Sequence, residues 1–205
     1  MSTDPATTCY HHGNLKNALL DAGVQLLVEQ GVVALSLRNV ARAVGVSHTA
    51  PYRHFSNKAA LLRGLVVRGF AVLHQGLTAA NIRQLHGPEQ QIVEIGVVYV
   101  RFALANPDMW QLMAGGLINT DGEPEFAHAS QEVNRLLLDI IEAGAALGVF
   151  RRRPASELAV LVWSAMHGLA GLLLAGGIAI DTDDRDQLDD LLRPVFQNMM
   201  YGIAR

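Results

Sequence analysis

The strongest constraint on the fold lies between Ser36 and Phe55, where two helix-patterned segments are separated by only two residues. Leu37, Val40, Ala41 and Val44 recur at i, i+3, i+4 and i+7, so a helix over them presents one continuous apolar stripe. Ser36 precedes the stripe as an N-cap, its hydroxyl able to accept from the free N–H groups of the first turn. Gly45 follows as the residue that most readily adopts the left-handed conformation ending a helix. Ser47 then caps a third helix, His48 to about Phe55. Two short helices across a tight glycine-containing turn make a helix-turn-helix, which needs a further helix to cover its stripe.

That helix lies upstream. Leu15, Ala18, Leu19, Ala22, Leu26 and Leu27 recur at helical spacing, opposite Lys16, Asp21, Gln25 and Glu29, and Gly31 closes the segment. Downstream, Ser56 caps a long fourth helix through Leu61, Leu62, Leu65 and Phe70 towards the break at Gly87-Pro88, connecting two domains. Further helices are expected at about 89–105, 107–114, 124–147, 156–178 and 184–202. Asn106-Pro107, the run from Asn119 to Pro124 and the Arg151-Arg152-Arg153-Pro154 turn separate them. No stretch alternates as a strand, so the expected fold is all-α with about nine helices. Residues 1–62 would form a helix-turn-helix domain and 63–205 a helical ligand-binding and dimerisation domain.

Half of the 205 residues are apolar and 17% are charged, enough for a substantial core. Cys9 is the only cysteine, which excludes an internal disulfide or a multi-cysteine zinc site and fits a reducing cytoplasm. Residues 1–14 are polar and read as a short tail rather than a targeting segment. The net charge of −3 is unevenly spread: residues 1–64 hold six Lys and Arg against three acids, the remainder ten against sixteen. Four of the eight histidines, His11, His12, His48 and His54, sit in the basic part. A basic head on an acidic body suggests a polyanionic partner.

Within that head, Ser47 to Lys58 reads S-H-T-A-P-Y-R-H-F-S-N-K and contains no acid. A short helix after a tight turn is the part of a helix-turn-helix that enters the major groove, so its exposed residues, Ser47 and Arg53 among them, should face DNA. Tyr52 and His54 can donate to phosphate oxygens, and Lys58 opens the next helix, whose free N–H groups also attract an anion. Tyr52 and Phe55 at i and i+3 could equally pack the third helix onto the first two, the reading preferred for Phe55. Pro51 falls about four residues into the helix and pins its start.

The stretch L-S-L-R-N-V-A-R-A-V-G-V-S-H-T-A-P-Y-R-H-F-S-N-K-A-A-L-L, Leu35 to Leu62, resembles the DNA-binding signature of TetR-family regulators. The resemblance implies base contacts from His48 and Thr49, phosphate contacts from Tyr52, His54 and Lys58, and help from Ser36 and Arg38. Pro51 departs from the aliphatic residue usual there. Tyr10 to Leu15 and Trp163-Ser164-Ala165-Met166-His167-Gly168 resemble the subgroup whose C-terminal region is named for its Trp, His and Gly.

Leu158 to Ile180 spans 23 residues without a formal charge, long enough for a membrane span on length alone. Ser164, His167 and four glycines within it favour burial between protein neighbours instead. Leu188, Leu191, Leu192, Val195, Met199 and Ile203 form a second stripe that one small subunit could not easily cover, so the last two helices of two subunits are expected to build a four-helix homodimer interface. Phe102, Met109, Trp110, Met113, Phe126, Trp163 and His167 are the candidate lining of an apolar effector cavity, although such residues at helical spacing are as readily core.

No phosphate-binding glycine loop, H-E-x-x-H, Gly-x-Ser-x-Gly or catalytic cysteine is present, so the sequence gives no support to an enzyme and implies no cofactor or metal. A helical interaction protein without DNA affinity would leave the acid-free segment unexplained. The expectation is a regulator, repressor-like, whose dimer holds two reading helices one turn of a pseudo-palindromic operator apart, about 34–36 Å, until a small effector changes that spacing.

Overall fold

Ser36 and Gly45 bracket a helix as their chemistry requires. In a computed structural model of the chain, which describes residues 15–82, 87–114, 124–150 and 153–203, Ser36 is extended and its hydroxyl accepts from Asn39 N at 3.1 Å. Gly45 takes φ 78°, and Val46 N donates back to Ala41 O at 3.0 Å. Between them lies α2, Leu37–Val44, after α1, Leu15–Ala34. Gly31, at φ 72°, kinks α1, so the regular helix stops where the sequence places its end. The element after α2 is a single 3-10 turn, Ala50–Arg53. Then come α3 (Lys58–Ile82), α4 (Pro88–Ala105), α5 (Pro107–Ala114), α6 (Pro124–Ala146), α7 (Ala155–Leu174) and α8 (Arg185–Ile203). The described residues are thus all-α. Cys9, the Tyr10–Asn14 motif, the 119–123 loop, Arg151 and Arg152 lie outside them.

The chain divides into two compact units, residues 1–65 and 66–205. In the first, Leu19, Leu27, Leu35, Val40, Leu61 and Leu65 are fully buried, with Phe55 among them. Two positions differ from expectation. The third element is not a helix from His48 to Phe55, and Ser47 does not cap one: its hydroxyl meets Thr49 Oγ1 at 3.2 Å instead. Pro51 is the cause. In a helix begun at His48 its nitrogen would have to donate to Ser47 O, and its ring would press on that carbonyl. The regular turn therefore starts at Ala50, placing Pro51 in its first positions, where no N–H is needed. The cap of α3 is likewise Asn57 rather than Ser56. Asn57 adjoins the first helical residue, and its Oδ1 accepts from Ala60 N at 2.9 Å.

The second unit is organised on α4, which buries Ile92, Val93, Ile95, Val97, Tyr99, Val100 and Ala103 and packs against α6, α7 and α8. Its meeting with α8 depends on Gly96: a Cβ there would lie 2.8 Å from the Phe196 ring, so only glycine lets Phe196 lie flat and fully buried on the α4 backbone. Beside that contact, Arg193 of α8 makes a two-pronged bond to Glu94 of α4, and Arg101 of α4 pairs with Asp189 of α8. The expected α8 stripe is accordingly divided. Leu188 and Leu192 are buried inside the subunit together with Phe196 and Met200, while Val195 stays exposed and Leu191 and Met199 half-buried.

Helix α7 ends at Leu174, short of the expected 178, because Gly176 adopts φ 68° and Gly177 N donates to Leu172 O at 2.8 Å. By length and composition α7 is apolar enough to cross a membrane, and a third of its most apolar window is buried. Val160, Leu161 and Leu172 remain 66%, 46% and 53% exposed on it.

Candidate nucleic-acid interface and aromatic cluster

The turn from Gly45 to Phe55 is held by its backbone and by one anchor. Phe55, 3% exposed, is driven into the core of the first unit, whereas Tyr52, 59% exposed, faces out. The i, i+3 pair therefore splits, one ring for packing and one for the surface. Ser47, His48, Thr49, Arg53, Arg38 and Lys58 are exposed, and Ser36 and His54 half-buried. Arg38 of α2 converges with His48 and Tyr52 on a depression of about 310 Å³. The surface so formed carries donors, a cation and an aromatic ring, with no carboxylate among its lining residues. That chemistry suits phosphate oxygens and base edges.

Three of the expected DNA contacts have other work here as well. Ser36 caps α2. Thr49 shares its hydroxyl with Ser47. Lys58 Nζ donates to Val32 O at 3.0 Å and reaches Val33 O at 3.5 Å, closing the carbonyl end of the α1 segment beyond its kink. Free carbonyls at a helix end attract a cation, which is what draws the exposed lysine to this contact.

In the second unit the seven candidate cavity residues fall into separate groups. Trp110, Trp163 and His167 come together. The Trp110 and His167 ring centroids are 4.7 Å apart, and Trp163 is near-parallel to His167 at 6.3 Å. Tyr99, absent from the sequence-derived set, ties them: Trp110 Nε1 donates to Tyr99 Oη at 3.0 Å, and Tyr99 Oη lies 2.9 Å from His167 Nδ1. Its ring meets Trp163 edge-on at 5.3 Å. Burial pushes the Tyr99 phenol above its ordinary pKa and holds the His167 imidazole below its own, so both groups are kept neutral. Tyr99 lies on the buried stripe of α4, where an aromatic residue at helical spacing looks like ordinary core.

Met109 and Met113 pack instead where Gly69 of α3 leaves room, since a Cβ at Gly69 would lie 2.9 Å and 2.6 Å from their sulfurs. Phe126 meets Phe70 edge-to-face at 5.7 Å. Phe102 is half-buried, and its carbonyl accepts from both nitrogens of Asn106, ending α4.

Comparison with known proteins agrees with this architecture. Residues 19–65 match the family of bacterial regulatory proteins, tetR family, and residues 92–194 match the tetracyclin repressor-like C-terminal domain. An HTH-type transcriptional regulator of Mycobacterium bovis is 27% identical over 136 residues, covering 65% of this chain; the match spans 58% of that relative's length. A protein of unknown function from Rhodococcus sp. RHA1 has a similar structure, with TM-score 0.84 and 31% identity over 97% of this chain and 100% of the other. A TetR family transcription regulator from Marinobacter aquaeolei VT8 shares the fold at TM-score 0.71 and 18% identity, covering 94% of this chain and 96% of its own. The helix-turn-helix of the first unit and the helical second unit together place the chain in the tetR family of bacterial regulatory proteins.

Proposed function

We propose that this protein is a cytoplasmic, DNA-binding transcriptional regulator, a repressor released from a pseudo-palindromic operator when a small molecule binds its second unit. The observation that carries the reading is the exposed, acid-free surface from Ser47 to His54, held on a buried helix-turn-helix core and flanked by Arg38 and Lys58. His48 and Thr49 read base edges. Tyr52, Arg53, His54 and Lys58 fix register on phosphates, with Ser36 and Arg38 supporting them from the start of α2.

Two reading segments are required for a two-fold operator, and the second copy docks through α7 and α8. The apolar side chains left exposed on those helices, Val160, Leu161, Leu172 and Val195, supply the contact. Residues 1–62 act as the DNA-binding domain and 63–205 as the effector and dimer domain, with α3 carrying the change between them. A coupling of about 1–3 kcal/mol is enough to alter operator occupancy.

A gel-shift titration of the full chain against genomic fragments tests this. Affinity should fall steeply as salt rises from about 50 to 200 mM, because neutralised phosphates release counterions. Tyr52→Phe should weaken all sequences alike, whereas His48→Ala or Thr49→Ala should change which sequences are preferred. Tyr52 is the cleaner anchoring probe than Lys58, whose amine also holds Val32 and Val33. Protein that ignores duplex DNA in dilute buffer would rule the proposal out.

A further inference from the structure

Three consecutive backbone carbonyls between α1 and α2 are each met by a side chain from a later helix. Lys58 Nζ, at the start of α3, donates to Val32 O at 3.0 Å and reaches Val33 O at 3.5 Å. Asn39 Nδ2, in the first turn of α2, donates to Ala34 O at 2.8 Å. Packing does little to place this link. From the kink at Gly31 to Ala34 no residue is buried, and Val33 is 89% exposed; burial resumes only at Leu35.

Both side chains are unusual for their places. In a capping box the third helical residue reaches back with an acceptor for the N-cap N–H, whereas Asn39 reaches past Ser36 and gives a proton to the carbonyl two residues before it. Its backbone N–H goes to Ser36 Oγ at 3.1 Å, so one residue ties α2 to its cap and to the link. Of the chain's sixteen Lys and Arg residues, only Lys16 and Lys58 are lysines. An ammonium sends three N–H bonds in three directions, while guanidinium donors share one plane. With two directed at Val32 and Val33, the exposed Lys58 keeps a third for an outside acceptor.

We propose that Asn39 is a positioning residue for DNA binding: by fixing Ala34 O it orients the two preceding carbonyls, which hold the Lys58 ammonium ready for a backbone phosphate. The inference rests on the phosphate-anchoring role assigned to Lys58 above, and adds to it a neutral residue that acts through that charge. A lysine held in advance has already given up rotamer freedom that its flexible stem otherwise loses on binding. Without the Asn39 bond, the exposed peptide units of Val33 and Ala34 are free to turn, and the ammonium loses the alignment of its acceptors.

Gel shifts of the full chain on the genomic fragment that the wild type binds most tightly, repeated from about 50 to 200 mM salt, give affinity and salt slope together. Asn39→Ala removes only the bond to Ala34 O, since alanine keeps the backbone N–H that Ser36 accepts and is the better helix former. Lys58→Ala should weaken binding about tenfold and flatten the slope by about one phosphate. Asn39→Ala should weaken it about threefold and flatten the slope in part, which loss of an uncharged packing group would not do. In the double variant the Asn39 step should vanish, because no ammonium is left to position. The same Asn39 factor in both backgrounds, or weaker binding at the wild-type slope, would make the role structural and overturn the proposal. Lysine labelled with ¹³C at Cε gives two side-chain signals, Lys58 being the one absent from Lys58→Ala. Its relaxation should show a more mobile side chain in Asn39→Ala, and unchanged mobility overturns the proposal even if the double variant does not fold. An unchanged slope in Lys58→Ala removes the phosphate anchor and the role of Asn39 with it, whereas a flattened slope there beside wild-type binding in Asn39→Ala removes the role of Asn39 alone.

Discussion

Tyr52 and Tyr99 are the same residue put to opposite uses. Tyr52 stands on a single 3-10 turn, mostly exposed, while its neighbour Phe55 carries the packing for both. Tyr99 is buried, accepts from Trp110 and shares a hydrogen bond with His167 Nδ1. The histidines divide likewise: His48 is exposed beside Arg38 and Tyr52, and His167 is caught between two tryptophans. Side chains whose hydrogen-bonding capacity is spent inside the fold stabilise it; those left unspent at a surface are available to a partner. Substitutions in the two regions should therefore differ in kind, with stability lost from one and binding from the other.

The largest effect should come from the packing of α8 on α4. Phe196→Ala removes a ring that is fully buried against the Gly96 backbone and should cost about 3–5 kcal/mol in denaturant unfolding. A loss below about 1 kcal/mol would mean that the interior of the second unit does not depend on that contact. Next is Tyr99→Phe, which keeps the ring and deletes the hydroxyl, stranding the Trp110 N–H and the His167 Nδ1 together. An unmatched buried partner costs about 1–3 kcal/mol, whereas Tyr52→Phe, on an exposed ring, should change stability by less than about 0.5 kcal/mol. Equal losses for the two tyrosines would erase the contrast.

Much of this division was legible beforehand. Ser36 and Gly45 mark the ends of α2 because their chemistry acts over four residues, and the split of Tyr52 from Phe55 follows the apolar pattern. What was hidden required the third dimension. Tyr99 reads as one more stripe residue until Trp110, eleven positions on, and His167, sixty-eight positions on, are brought to it. The α8 stripe looked uncovered because nothing in the sequence says that Gly96 opens α4 to Phe196, or that Glu94 and Arg101 stand opposite Arg193 and Asp189. Pro51 is a visible anomaly in the sequence, and its reach back to Ser47 overrides the capping pattern that Ser47 presents.

Acid should also affect the second unit through two identified groups. Burial keeps His167 from its proton when folded, so between its lowered value and the ordinary 6.5 the unfolded chain binds the extra proton. Stability is then full above about pH 6.5 and declines as pH falls through the folded value. Burial opposes the charge of Glu94, but its bonds to Arg193 and Gln90 prevail and hold it below the ordinary 4.5. Its contribution is present above that pH and lost as the carboxyl protonates in the folded state. Melting curves from pH 7.5 to 4 should fall in both ranges, with His167→Phe flattening the upper and Glu94→Gln the lower. A His167→Phe protein with the wild-type slope near pH 6 would show that the imidazole is not protected from protons.

A small expected change in stability carries the sharpest consequence for the surface. Pro51→Leu restores a backbone N–H able to donate to Ser47 O and lifts the bar on helix through His48 and Thr49. The gain of a helical turn is offset by freedom returned to the unfolded chain, so the net effect should stay within about 1 kcal/mol. Circular dichroism should nevertheless show a few more helical residues, and the hydroxyl contact between Ser47 and Thr49 should be lost as Ser47 becomes a true cap. Because His48 and Thr49 would then sit on a regular helix rather than on the turn before one, the set of preferred DNA sequences should change while the salt slope, set by the number of phosphates met, stays the same. An unchanged sequence preference despite added helix would mean that base reading does not depend on the backbone that carries those two residues, and the distinction between an outward-facing turn and an inward-tied cluster would lose its functional meaning.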